Sequence, residues 1–179
     1  IVISLVGSEM CIRDRSGVHD LLPNRVGGAA LQKNLETLGD IQYTQEEIDF
    51  ALELQRNNGK PEIGIDGKIR PLRETLNSPG GGSTDSGDVS YNVPVVSLAA
   101  TTAPKGVPWH SWSVVASSGM SIGHKGMLHA AKALGMTMVD IFKDSKLREN
   151  IKKEFDEKIG EYDYDPFLDP GPPPNDYVD

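Results

Sequence analysis

The chain has 179 residues, 37% of them apolar, a size that suits one domain or part of one. Its 26 acidic and 18 basic residues give a formal net charge of −8, which argues against nucleic-acid and anionic-membrane partners because phosphate binding needs clustered basic residues. The sequence lacks the run of about 18 apolar residues that a transmembrane helix needs, and its single cysteine, Cys11, excludes an internal disulfide. This is the composition of a soluble, cytoplasmic globular protein.

Residues 1 to 15 differ from the rest of the chain. They begin apolar and end basic, whereas a secretory signal carries its positive charges before the apolar stretch; here Arg13 and Arg15 follow it. Residues 4 to 15 instead resemble the translation of an adapter used in transposase-based sequencing libraries, and a native N-terminal strand is the alternative. On the adapter interpretation, we expect the natural sequence to begin near Ser16 and the coding region to have been cut upstream.

Two helices are predicted next. Apolar residues recur at helical spacing over residues 26 to 38, and Gly39 ends the pattern. Thr44 and Glu47 have the spacing of a capping box, which predicts a second helix that ends near Gly59.

A long loop and a strand are predicted in the middle of the chain. Residues 59 to 82 are rich in glycine and proline and have no period; loops longer than about 12 to 15 residues tend to be functional or disordered. Residues 93 to 99, VPVVSLA, form a continuous apolar run rich in valine. Such a run is typical of a strand buried on both faces, and it indicates an α/β fold.

Two further helices and a tail complete the prediction. Apolar residues three and four apart between Ser121 and Phe142 indicate a long helix, and Ser145 is the expected N-cap of a last one. Residues 160 to 179 contain six acidic residues, five prolines and no lysine or arginine, which predicts a solvated tail; docking of its aromatic residues is the alternative. In the long helix, three glycines are expected to allow close approach of a neighbour: Gly123, Gly126 and Gly135.

Two polar segments stand out, one on each side of the predicted strand: residues 80 to 94 and residues 106 to 112. The first, GGGSTDSGDVSYNVP, combines glycines with short carboxylates but lacks the lysine of a phosphate loop. The second, GVPWHSW, places His110 in a loop after the strand, where α/β proteins hold ligands; a packed or surface histidine is the alternative. A triad of Ser83, Asp85 and His110 is disfavoured because no nucleophile elbow is present.

Four motifs occur in a recognisable order. They are LLPN at 21 to 24, GSTDSGDVSY at 82 to 91, PWHSW at 108 to 112 and SIGHKGMLHAAKAL at 121 to 134. Together they resemble the C-terminal part of the dizinc amidohydrolases related to aminoacylases and glutamate carboxypeptidases. The resemblance covers residues 16 to 165 without rearrangement.

The resemblance implies a fold and a set of site residues. Residues 16 to 159 would be the incomplete C-terminal portion of a three-layer, zinc-peptidase-like α/β catalytic domain. His110, followed by Ser111, matches the family's last metal ligand, whereas Thr84 and Ser86 depart from the Gly-Ser-Glu-Asp-Phe of many relatives. The residues expected to bind substrate or to support the metal ligand are Gly82, Ser83, Asp85, Asp88 and His124.

The resemblance also implies a function. The full-length parent would hold two zinc ions, or another divalent metal, and would cleave N-acyl amino acids such as p-aminobenzoyl-glutamate through a metal-activated water. Its general-base glutamate and its remaining ligands are expected upstream, so the isolated chain is expected to be inactive. The parent is expected to be a cytoplasmic homodimer or hetero-oligomer. A non-catalytic interaction module, with the strand and long helix as a docking platform, is the alternative.

Overall fold

A computed structural model of the chain describes residues 17–72, 84–167 and Gly171. The segment that resembles an adapter therefore lies outside the described residues, as does most of the tail. Six helices follow one another along the described chain: α1 (Arg25–Leu38), α2 (Gln45–Asn57), α3 (Ser86–Ser90), α4 (Trp112–Ser118), α5 (Ser121–Lys143) and α6 (Ser145–Ile159).

The α/β prediction is wrong for the part of the chain that the structure describes, which is helical and contains no sheet. Residues 93–99 make one isolated β-bridge, which joins Val95 to Pro23, where the Asn24 N–H donates to the Val95 carbonyl at 3.4 Å. Val95 and Val96 are only half-buried. The apolar run has the composition of an inner strand, but a strand also needs hydrogen-bonded neighbouring strands, and the described chain provides none for these residues.

Helix α1 confirms the first predicted helix. The Asn24 side chain caps its start by accepting from the Gly27 N–H at 2.8 Å, and it also donates to the Ile151 carbonyl of α6 at 2.8 Å. The helix ends at Gly39, whose φ of 75° is favourable only for glycine. A Cβ atom on Gly27 would lie 2.4 Å from Val96 Cγ1, so α1 packs directly on residues 93–99.

Helix α6 supplies a carboxylate to the start of α1. Glu154 accepts from the Arg25 N–H at 2.9 Å and from the Val26 N–H at 2.7 Å, where the helix dipole favours negative charge. Lys158 donates to Glu154 at 2.7 Å. Burial alone would raise the pKa of Glu154, but these three hydrogen bonds outweigh it and lower the pKa.

The long helix α5 has 23 residues and confirms the third predicted helix. Asn34 of α1 makes a buried polar contact with α5: its side-chain amide donates to the Thr137 hydroxyl at 3.0 Å and to Asp140 at 2.8 Å. No helix in the described ranges, α5 included, has both the length and the apolarity to cross a membrane. The buried apolar core is formed by Leu31, Ala51, Leu54, Val107, Ile122 and Ala133.

Two of the three glycines predicted to permit close packing do so. A Cβ atom on Gly123 would lie 2.0 Å from the Ser118 carbonyl oxygen, and one on Gly126 would lie 2.3 Å from the Thr101 carbonyl oxygen. The prediction for Gly135 is wrong, since nothing in the described chain lies within 4 Å of its Cβ position. At the first two glycines, α5 approaches neighbouring backbone more closely than a residue with a Cβ atom would allow.

Candidate functional site

The loop that carries His110, residues 104 to 112, is fixed at its base by α2. Gln55 is fully buried, and its amide donates to the Lys105 carbonyl at 2.8 Å and to the Gly64 carbonyl at 2.9 Å. The Gln55 Oε1 atom accepts from the Gly64 N–H at 2.8 Å. Val107 is buried as well. The Gln55 side chain thus joins the loop at Gly64 to the loop at Lys105, a contact that neither loop's sequence indicates.

The far end of the same loop is held by hydroxyl groups. The Ser111 hydroxyl donates to the Pro108 carbonyl at 2.6 Å, and Ser111 then becomes the N-cap residue of α4. In the first turn of that helix, the buried Ser113 hydroxyl donates to Asn58 Oδ1 at 2.8 Å. His110 therefore lies between two anchored points rather than at a free loop tip.

The backbone of His110 is strained. Its φ of 59° is left-handed, and no other residue of the described chain apart from glycines has a positive φ. Such a conformation costs a non-glycine residue about 1 to 2 kcal/mol, and strain of this kind concentrates at functional sites. The side chain is exposed, and neither ring nitrogen has a hydrogen-bond partner among the residues described. The imidazole is therefore open to a ligand.

The surroundings of His110 are more open than expected. Trp109 is 70% exposed and Trp112 is 57% exposed, so the tryptophans do not form a dry wall around the imidazole. Trp109 instead lines a cavity of about 750 Å³, together with residues 66–72, residues 97–107 and part of α1. His129 of α5 also lines this cavity. Sequence reasoning did not single out His129, because one histidine in an amphipathic helix carries no spacing information.

The other predicted site residues either make no hydrogen bond to His110 or lie outside the described residues. Asp85 is exposed just before α3, and His124 is exposed in the first turn of α5. Asp88 binds His19 instead. No hydrogen bond joins Asp85, Asp88 or His124 to His110 in the described chain, so their proposed supporting roles stay predictions. Gly82 and Ser83 lie outside the described residues.

A cluster of side chains around His19 was not predicted from the sequence. His19 is 8% exposed; its Nδ1 lies 2.8 Å from Asp88 Oδ1, and its Nε2 lies 2.7 Å from the Tyr162 hydroxyl. The hydrogen bond from His19 lowers the pKa of Asp88 and outweighs the opposite effect of burial. Because the partners are 69 and 143 residues away along the chain, no local pattern could have indicated the cluster.

The described residues do not form a complete metal site. No group of three or more histidine, cysteine, aspartate or glutamate side chains within them is arranged to hold an ion. A zinc site with protein ligands needs three or four such groups.

Comparison with known proteins identifies a relative. The chain is 34% identical over 157 residues to a subunit of the p-aminobenzoyl-glutamate hydrolase of Escherichia coli (strain K12). The match covers 74% of this chain but only 33% of the relative, so the chain spans about a third of that protein's length. The two proteins are related over this span. No protein-family model matches the sequence, and no solved structure matches it.

Proposed function

We propose that this chain is part of a hydrolase that cleaves the amide bond of N-acyl amino acids resembling p-aminobenzoyl-glutamate. The observation that carries the proposal is the 34% identity to a hydrolase subunit named for that substrate. Because the match spans about a third of the relative, the proposal assigns the remaining catalytic groups to polypeptide that these residues do not include.

Within this proposal, His110 supplies one ligand to a catalytic zinc ion. A neutral imidazole is a common zinc ligand, and the exposed ring of His110 has both nitrogens unengaged in the described chain. Bound zinc supplies a water acidic enough to attack an amide near neutral pH. The part played by this chain is to hold the imidazole: Gln55 and Ser111 fix the two ends of its loop.

The cavity beside the loop suits the two ends of such a substrate. Trp109 offers an exposed flat apolar surface on which an aryl group can stack. Lys68 and Lys105 are exposed and line the same cavity, and their positive charges suit the carboxylates of a glutamyl group. This combination of an aromatic surface and two positive charges suits a substrate with an aryl group and carboxylates better than an uncharged substrate.

The remaining parts of the proposal rest on the sequence resemblance alone. They are two zinc ions per full-length subunit, assembly into a homodimer or hetero-oligomer, and a cytoplasmic location. A second candidate function, an interaction module without catalysis, is favoured by one observation: α5 leaves large apolar side chains exposed. These are Met127, Leu128, Leu134, Met138, Val139 and Phe142.

A chimeric enzyme tests the proposal. The aligned third of the Escherichia coli protein is replaced by residues 17 to 167 of this chain, and the complete hydrolase is assayed with p-aminobenzoyl-glutamate. We expect measurable turnover and stoichiometric zinc. His110→Ala should abolish most of the turnover and lower the bound zinc, because one ligand is lost from the set.

Two further variants make the result specific. Asp85→Asn and His124→Ala should lower turnover by about 10- to 100-fold at most and leave the zinc content unchanged, as expected for residues that only support a ligand. Lys146→Ala, an exposed residue of α6, is the neutral control. A folded chimera in which His110→Ala keeps both its zinc and its turnover contradicts the ligand assignment; a folded chimera without turnover favours the interaction module.

A further inference from the structure

The last part of the described chain, residues 162 to 167, closes over His19. The Phe167 ring stacks on the imidazole, with 4.1 Å between ring centroids and 7° between the planes. Tyr162 and Tyr164 approach the same imidazole at centroid separations of 6.0 and 5.3 Å. We call residues 162 to 167 the strap. Its three aromatic rings contribute to the burial of His19, which is only 8% exposed.

The strap also completes the hydrogen bonds of the buried imidazole. The ionised Asp88 carboxylate can only accept, so the His19 Nδ1 atom carries the proton that it donates at 2.8 Å. The Tyr162 hydroxyl, 2.7 Å from Nε2, can donate to a neutral imidazole or accept from a charged one. The Tyr164 hydroxyl donates to the same Asp88 oxygen at 3.2 Å. The Tyr162 hydroxyl of the strap can therefore serve as hydrogen-bond partner of His19 Nε2 whether the imidazole is neutral or charged.

The surface that receives the strap is built from the N-terminal segment and α3 together. A Cβ atom on Gly87 would lie 1.9 Å from the His19 carbonyl oxygen, so α3 lies directly on the backbone of that segment. The Leu22 N–H donates to the Ser90 hydroxyl at 2.8 Å. Tyr91, at the end of α3, places its ring 4.9 Å from the His19 ring. The pocket exists only while α3 is docked.

We propose that His19, Asp88 and Tyr91 form a peptide-binding pocket whose ligand is a short segment rich in aromatic side chains, and that the strap is its resident ligand. The imidazole offers one face to an aromatic ring and one nitrogen to a tyrosine hydroxyl. The strap's two aspartates are exposed, which keeps the segment soluble when it leaves the pocket. Release of the strap uncovers His19 and loosens α3. This inference does not depend on the proposed function.

Chemical modification of the four histidines tests the pocket in the full chain. Diethyl pyrocarbonate acylates accessible neutral imidazoles, and His110 and His124 serve as exposed internal references. We expect His19 to react about tenfold more slowly than these references, because it must wait for local opening. Truncation after Glu161, which removes the strap, should bring its rate close to theirs.

Point variants keep the test decisive if the truncated chain does not fold. Phe167→Ala and Tyr162→Phe, in the full chain, should each accelerate modification of His19 and raise amide hydrogen exchange in α3, with α5 unchanged. Asp163→Asn, at an exposed strap position, is the matched control and should change neither.

Addition of the strap as a separate peptide tests recognition directly. A synthetic peptide of residues 160 to 167 should restore protection of His19 in the truncated chain at concentrations of about 1 mM or below, the range that replaces a short covalent link. A peptide with Phe167→Ala should not. The proposal is overturned if His19 reacts as fast as His110 in the intact chain, if it stays protected after Phe167→Ala and truncation, or if both peptides act alike.

Discussion

The ion pair between Glu47 and Lys125 joins α2 to α5, and its loss should destabilise the chain strongly. Glu47 is 4% exposed, and one of its oxygens lies 2.6 Å from the Lys125 ammonium. Burial alone would raise the pKa of Glu47. Hydrogen bonds from Lys125, Ser121 and the Thr44 backbone outweigh that effect and lower the pKa from 4.5 to about 2. We therefore choose Lys125→Met as the perturbation, since it leaves the buried carboxylate without its cation.

The expected magnitude follows from the buried charge. A pKa lowered from 4.5 to about 2 corresponds, at about 1.4 kcal/mol per unit, to at most about 3.5 kcal/mol of stability. Because the folded-state pKa is depressed, this contribution is fully present above pH 4.5 and is lost as the pH falls toward about 2. Removal of one partner from a fully buried pair typically costs about 3 to 5 kcal/mol. Because the Lys125 side chain is 35% exposed, solvent screens part of the interaction, and Lys125→Met should lower the free energy of unfolding at pH 7 by about 2 to 3 kcal/mol.

Urea denaturation of four variants measures the effect. Lys152→Met removes an exposed pair with Asp156, 2.8 Å apart, and is the matched control, with an expected change below about 1 kcal/mol. Glu47→Gln combined with Lys125→Met should recover part of the loss, because no buried charge is left unpaired. Glu47→Gln alone should flatten the decline in stability below pH 4.5. If Lys125→Met costs no more than Lys152→Met, the reasoning is refuted.

Two further predictions concern backbone positions. Gly87→Ala should undock α3, because the new Cβ atom would lie 1.9 Å from the His19 carbonyl oxygen; amide hydrogen exchange of α3 measures this change. Gly135→Ala is the control: its Cβ position is open, so the substitution should leave the free energy of unfolding unchanged or raise it by up to about 1 kcal/mol. His110→Gly should relieve the left-handed strain and raise the free energy of unfolding by about 1 kcal/mol, while zinc binding by the chimeric enzyme falls. If His110→Gly and His110→Ala have equal free energies of unfolding in urea denaturation, the prediction of backbone strain at residue 110 is contradicted.

Elements governed by neighbouring residues could be predicted from the sequence. The capping box of α2 is present as expected, with the Thr44 N–H donating to Glu47 at 2.7 Å and the Glu47 N–H donating to the Thr44 hydroxyl at 3.3 Å. The start of α6 is one residue earlier than predicted, because Asp144 rather than Ser145 accepts from the Leu147 N–H. Both residue types cap helices, and the sequence alone does not choose between them.

Features that depend on distant partners could not be predicted. The run at residues 93–99 has the composition of a buried strand, but whether it becomes one is decided by other strands, not by its own side chains. The His19 cluster depends on residues at the opposite end of the chain. The sequence predicts that Asp88, within the segment 80 to 94, binds substrate or supports the metal ligand; the structure shows it bound to His19.

The strain at His110 requires a rigid support, and Gln55 is the residue best placed to give it. Its three hydrogen bonds, each worth about 0.5 to 1.5 kcal/mol net, reach the loop at Lys105 and a second loop at Gly64. Because the amide is fully buried, it cannot exchange these partners for water without a large penalty. The base of the loop is therefore fixed, and His110 cannot relax by a shift of the whole loop. The sequence predicts that this histidine lies in a loop after a buried strand; in the structure, a buried glutamine on a helix fixes the base of the loop instead.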